Sequence, residues 1–74
     1  MKTFEVVRNI VSHKSPVSEI KEDIVLLSLG LNSLDLVEIT LAIEDAFNIE
    51  FTSGEIANLK TVKDLVELIE RKSQ

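Results

Sequence analysis

The chain has no cysteine, no tryptophan and no tyrosine, and only one proline, one histidine and two glycines among its 74 residues. Without cysteine there is no disulfide and no thiolate metal site. A single histidine, His13, cannot build a metal cluster alone, so no metal is expected. Three phenylalanines are the whole aromatic inventory, which leaves no stacking platform for nucleic-acid bases. No apolar run approaches the roughly 18 residues that cross a bilayer, so no membrane insertion is expected. The N-terminus also lacks a signal-peptide pattern, and the expected compartment is the cytoplasm. Positive charge is scarce as well: 8 bases stand against 13 acids, for a net charge of -5. That balance disfavours nucleic acid, whose phosphates require lysine and arginine. It favours protein partners with basic docking surfaces, drawn in by long-range attraction.

A chain of this length reads as one domain over residues 1–74. It buries only about 60% of its unfolded surface, too little for a deep catalytic cleft beside a full core. No repeat or linker divides it. The hydrophobic periodicity predicts an all-α fold, a small four-helix bundle with three longer helices, one short one and a long loop after the first. The first helix is expected over Lys2 to His13, where Phe4, Val7, Ile10 and Val11 share one face. Ser15-Pro16 stops it, because the residue before proline avoids helical angles. The connection from Ser15 to Asn32 carries Ile20, Ile24, Leu26, Leu27, Leu29 and Leu31. It is too apolar to hang free and is expected to lie on the bundle, with a turn of helix near Ile24 to Leu27. A loop this long in a small domain is often functional. The second helix is expected over Ser33 to Phe47, with Asn32 or Ser33 as cap, Asp35 in its first turn and Asn48 at its end. Thr52 with Glu55 marks a capping box for a short helix over Ser53 to Asn58. Thr61 with Asp64 is a looser, aspartate version of that box, for a last helix over Val62 to Lys72.

The second helix carries more apolar surface than a single buried face requires. Leu36, Ile39, Ile43 and Phe47 form one stripe directed at the core. Leu34, Val37 and Leu41 form a second, bordered by Asp35, Glu38, Glu44 and Asp45. Two explanations fit this pattern: a helix buried on two sides, or a docking surface with apolar anchors and an acidic rim. The segment just before it, Gly30-Leu31-Asn32-Ser33-Leu34-Asp35, favours docking. It presents Ser33 at a helix start with no histidine near it in sequence, which suits a serine modified by another enzyme better than one that attacks a substrate. Ser18 and Ser53 look like turn or cap residues, and Ser12, Ser15 and Ser28 lack the apolar-acidic helix that follows Ser33. Gly30 permits a turn before the cap. Glu44 and Asp45 are neighbours pointing about 100° apart, which is wrong for an acid/base pair. His13 reads as a surface residue. No nucleophile, base and oxyanion donor can be assembled, so the chain is not expected to be an enzyme.

The run L-G-L-N-S-L-D-L-V-E from Leu29, together with the length, acidity and helix order, resembles the acyl carrier proteins. The resemblance spans the whole chain and is densest over Leu29 to Phe47. It implies that Ser33 bears a covalent 4'-phosphopantetheine whose thiol holds acyl groups as thioesters. It implies a carrier of fatty-acid, polyketide or related biosynthesis. Its partners would be a phosphopantetheinyl transferase and acyl-loading and acyl-processing enzymes, with the carrier a monomer. Partner docking would fall on Leu34, Asp35, Val37, Glu38, Leu41, Glu44 and Asp45. A candidate acyl pocket comprises Leu36, Ile39, Ile43, Phe47, Ile56, Leu59 and Val62, all of which also suit a plain core. The chain departs from the family pattern at Asn32, where most fatty-acid carriers have aspartate. Asparagine keeps the capping oxygen and loses a charge that would suit the metal-dependent transferase. Ser53 and Ala57 also stand where such carriers often have acids. Both departures point toward a dedicated carrier. The alternatives are a peptidyl or aminoacyl carrier, and an unmodified helical interaction module.

Overall fold

The structure is a computed structural model, and it describes residues 3–73. Four α-helices follow in order: α1 over Thr3–Ser12, α2 over Ser33–Phe47, α3 over Ser53–Ala57 and α4 over Val62–Lys72, with one 3-10 turn at Leu26–Leu29. Lys2, placed in the first helix from the sequence, lies outside the described residues. His13 falls in the turn after α1 and is exposed.

The helix bounds follow from local chemistry. Each of α2, α3 and α4 begins at a complete capping box: Asn32 with Asp35, Thr52 with Glu55, and Thr61 with Asp64. In each, the cap side chain accepts the N–H three residues on, and that residue's carboxylate accepts the cap N–H in return. Helix α2 ends where Asn48 turns left-handed at φ 56° and its N–H donates to the Glu44 carbonyl, a shape asparagine tolerates. At α4 the Asp64 carboxylate accepts the N–H groups of both Lys60 and Thr61, at 3.1 and 3.2 Å. These bonds hold its carboxyl below the ordinary range.

The core is the meeting of α1 with α4 and of α1 with α2. Val7 and Val11 of α1, Ile39 and Ile43 of α2, and Val62, Leu65 and Ile69 of α4 are buried there. Helix α3 contributes no buried residue. The loop supplies Ile20 and Leu29, which is fully enclosed, so the apolar content of that loop is used as expected.

The turn of helix inside the loop sits two residues later than the sequence suggested, at Leu26–Leu29 instead of Ile24 to Leu27. The cause is long-range pairing. The Val62 N–H donates to the Ile24 carbonyl (3.1 Å), the Leu26 N–H to the Lys60 carbonyl (2.8 Å) and the Lys63 N–H to the Glu22 carbonyl (2.8 Å). Val25 thereby bridges antiparallel to Thr61, and the chain stays extended until Leu26. The loop's ends are fastened together too. Ser15 Oγ donates to the Leu29 carbonyl and accepts the Val17 N–H. Gly30 follows at φ +70°, where a Cβ would come 3.1 Å from Pro16 Cγ. A side chain at Gly30 would therefore meet both a left-handed backbone and a proline ring.

Two outcomes are expected. Ile43→Ala removes a fully enclosed side chain and should cost about 2–5 kcal/mol, whereas Leu41→Ala, on an exposed position, should cost under about 1 kcal/mol; urea denaturation of both variants checks this. The depressed Asp64 carboxyl stabilises the fold above the ordinary carboxylate value, and that contribution is lost as pH falls from there through the lowered folded value. Asp64→Asn should therefore lower Tm at neutral pH and flatten the loss of Tm on acidification.

Candidate functional site

Ser33 is the first residue of α2 and is exposed. The capping duty falls to Asn32, whose Oδ1 accepts the Asp35 N–H at 2.8 Å while Asp35 Oδ2 accepts the Asn32 N–H at 3.3 Å. The Ser33 hydroxyl is therefore not spent on the cap. It stands in solvent at the positive end of a long helix, where an attached phosphate group is favoured.

Leu31 and Leu36, on either side of this serine, both line a cavity of about 640 Å³. Of the seven pocket candidates, Leu36, Ile39, Ile43, Ile56 and Leu59 line it. Phe47 and Val62 do not. Val62 is fully buried and Phe47 packs part-buried against the core cluster, so both are core residues. The sequence reading missed the opposite wall. Val25, Leu26, Leu27 and Leu29 from the loop, Val11 from α1, Lys60 and Thr61 just before α4 and Leu65 from α4 also line the cavity. The signal for the loop side was present in its surplus of leucines, which fitted contact with the bundle without showing what they enclosed. Several polar groups near the cavity are paired within the fold. Thr40 Oγ1 donates to the Leu36 carbonyl at 2.8 Å, and the Lys60 carbonyl accepts the Leu26 N–H.

The outer face of α2 is apolar and open: Leu34, Val37 and Leu41 are 66%, 55% and 58% exposed. Leu36, assigned to the core stripe, is 40% exposed. It sits at the boundary of the two stripes. A smaller hollow of about 210 Å³ lined by Leu36, Val37, Thr40, Leu41 and Ile56 shares three of these residues with the main cavity, so apolar surface runs unbroken from the interior to the outer face.

The acids around this face are less free than their number suggests. The Glu44 carboxylate accepts the Phe51 N–H at 2.7 Å and so holds the loop after α2 as well as bordering the outer face. Asp35 is half-buried and engaged in the capping box. Glu38 pairs with Lys14 at 2.9 Å. Asp45 is exposed. On α3, Ser53 and Ala57 are exposed, and the Glu55 carboxylate is engaged by the Thr52 N–H and by Lys72, each at 2.9 Å. Those contacts hold its carboxyl below the ordinary range, the Thr52 bond first. Among the described residues, no group of three or more histidine, aspartate or glutamate side chains is placed to hold a metal ion. No described helix is long and apolar enough to cross a membrane.

Residues 5–69 match the family model described as the phosphopantetheine attachment site. This chain belongs to the acyl carrier protein family. An acyl carrier protein from Coprothermobacter proteolyticus is 39% identical over 93% of this chain and 88% of its own length. One from Helicobacter hepaticus is 41% identical over 95% and 96%. The crystal structure of an acyl carrier protein from Thermotoga maritima shares the fold, with a TM-score of 0.77 at 22% identity over 97% of this chain and 91% of that one. The prosthetic group of this carrier is a covalently attached 4'-phosphopantetheine, which displaces the reading as an unmodified interaction module. The residues fit such an arm: an exposed helix-start hydroxyl outside the capping network lies beside an apolar cavity.

If the cap is carried by Asn32 rather than Ser33, Asn32→Ala should lower stability by about 1 kcal/mol. Asn32→Asp and Ser33→Ala should each stay within about 0.5 kcal/mol of the parent chain. Equilibrium urea unfolding of the three variants checks this.

Proposed function

We propose that this acyl carrier protein holds acyl intermediates of fatty-acid, polyketide or related biosynthesis on an arm at Ser33, and catalyses nothing itself. When bound, the arm supplies a thiol on which an acyl group is held as a thioester. The observation that carries the reading is the juxtaposition of the exposed Ser33 with the apolar cavity between Leu31 and Leu36. Asn32 and Asp35 fix the start of α2, so the hydroxyl is offered at a rigid position. The leucines and isoleucines of the cavity exclude water from a hydrocarbon chain. Each methylene moved from water into such a space contributes about 0.8 kcal/mol.

The cavity also favours acyl over aminoacyl cargo. Its walls carry no carboxylate, and the one ionisable residue that lines it, Lys60, is itself a cation. The ammonium of an aminoacyl group would find no counter-charge there, and burying it unpaired is costly. Partners would be a phosphopantetheinyl transferase and acyl-loading and acyl-processing enzymes. They would meet Leu34, Val37 and Leu41, with Glu38 and Asp45 at the edge. The nearly uncharged outer surface of α3, with Ser53 and Ala57, supports a carrier dedicated to a pathway other than bulk fatty-acid synthesis. We read residues 1–74 as one monomeric carrier domain.

Incubation with a phosphopantetheinyl transferase and coenzyme A should add one phosphopantetheine, mapped to Ser33, and Ser33→Ala should take none. Loading with saturated chains of increasing length should raise Tm stepwise, because cargo bound only by the folded state stabilises it, and an aminoacyl load should not. Arm on another serine, or a Tm indifferent to chain length, would overturn the site or the cavity reading respectively.

A further inference from the structure

The pairing of Glu38 sets a condition on whatever approaches this face. Lys14 comes from the turn after α1, reaches across to α2 and places Nζ 2.9 Å from Glu38 Oε1. Both side chains remain open to solvent, 38% and 46% exposed, so the pair lies on the surface and can be broken. The hydrogen bond to Glu38 and the charge of that carboxylate, with Asp35 adding to them, hold the Lys14 ammonium above its ordinary value. Of the other acids read as a rim, Asp35 and Glu44 have backbone partners. These bonds fix the start of α2 and the loop after it, so giving them up would loosen the fold. Glu38 is different. Its partner is a flexible side chain at the surface, and releasing it disturbs no helix end.

We propose that Lys14 is an internal competitor for Glu38, and that it selects partners whose cation can displace an ammonium from that carboxylate. This rests on the reading of the α2 face as the docking surface. A cationic residue of the partner has to replace Lys14 rather than meet a free acid. A planar guanidinium does so best, because it binds both carboxylate oxygens while an ammonium acts as a point charge. An exposed pair of this kind is worth under about 1 kcal/mol, so the competition is a tuning device of a few-fold and not a block. It leaves kcat alone and acts on encounter.

The test uses the full chain without its arm, a phosphopantetheinyl transferase and coenzyme A. Lys14→Gln should lower the KM for the carrier by about two- to fivefold with kcat unchanged, and the gain should shrink as salt is raised. Lys21→Gln makes the same change in net charge at a lysine that pairs with Glu19 in the loop, and it should leave KM near the parent value. In the Lys14→Gln background, adding Glu38→Gln should abolish the gain. Three results would sink the proposal. If Lys14→Gln leaves KM unchanged while Glu38→Gln raises it, the docking reading stands and the competition does not. If Lys21→Gln lowers KM as much as Lys14→Gln, overall charge is the cause. If Glu38→Gln leaves KM unchanged in both backgrounds, the α2 face is misread and the competition falls with it. A circular-dichroism melt of each variant confirms that the fold is retained.

Discussion

The backbone pairing of residues 22–26 with residues 60–63 is the constraint on which the rest depends. A polar loop could leave the bundle at modest cost. This one cannot, because it carries buried Ile20 and Leu29 and its backbone groups are committed to the start of α4. The pairing converts a connection into a wall. It sets Leu26 and Leu29 opposite Ile39 and Ile43, and the space between them is the cavity. It also fixes where Gly30 turns, and thereby where Asn32 can cap α2 and present Ser33. Function at the serine is thus underwritten by hydrogen bonds made on another part of the molecule.

The capped helices were legible in the sequence because their information is local. Asn32 with Asp35, Thr52 with Glu55 and Thr61 with Asp64 each act within one turn, and α2 and α4 run over the residues their periodicity predicts. The turn in the loop was misplaced by two residues because its position is set by residues far along the chain. The structural bond of Glu44 was not legible for a related reason. Its partner, the Phe51 N–H, lies seven residues on and is brought back only by the left-handed turn at Asn48. The acidic count of α2 was correct, but it does not show which of those charges already have partners within the fold. Glu38 shows the same thing through Lys14.

The cavity candidates separate along a similar line. Leu36, Ile39, Ile43, Ile56 and Leu59 meet around one space, while Phe47 and Val62 serve the core. Helical spacing tells which residues face inward. It does not tell which of those meet close-packed neighbours and which meet a gap, since that depends on the elements packed opposite. Leu36 illustrates the boundary: it is at once wall, rim and outer face.

Helix α3 is five residues long, buries none of them, and is held by its own capping box and by one ion pair to Lys72. Segments with so few enclosed contacts open at a small fraction of the global unfolding free energy. Ile56 is therefore hung on a door, whereas Ile39 and Ile43 belong to the frame. By the same physics, amide protons of α3 should exchange through local opening sooner than those of the buried faces of α1 and α4. The room offered to cargo is accordingly elastic on one side and fixed on the other.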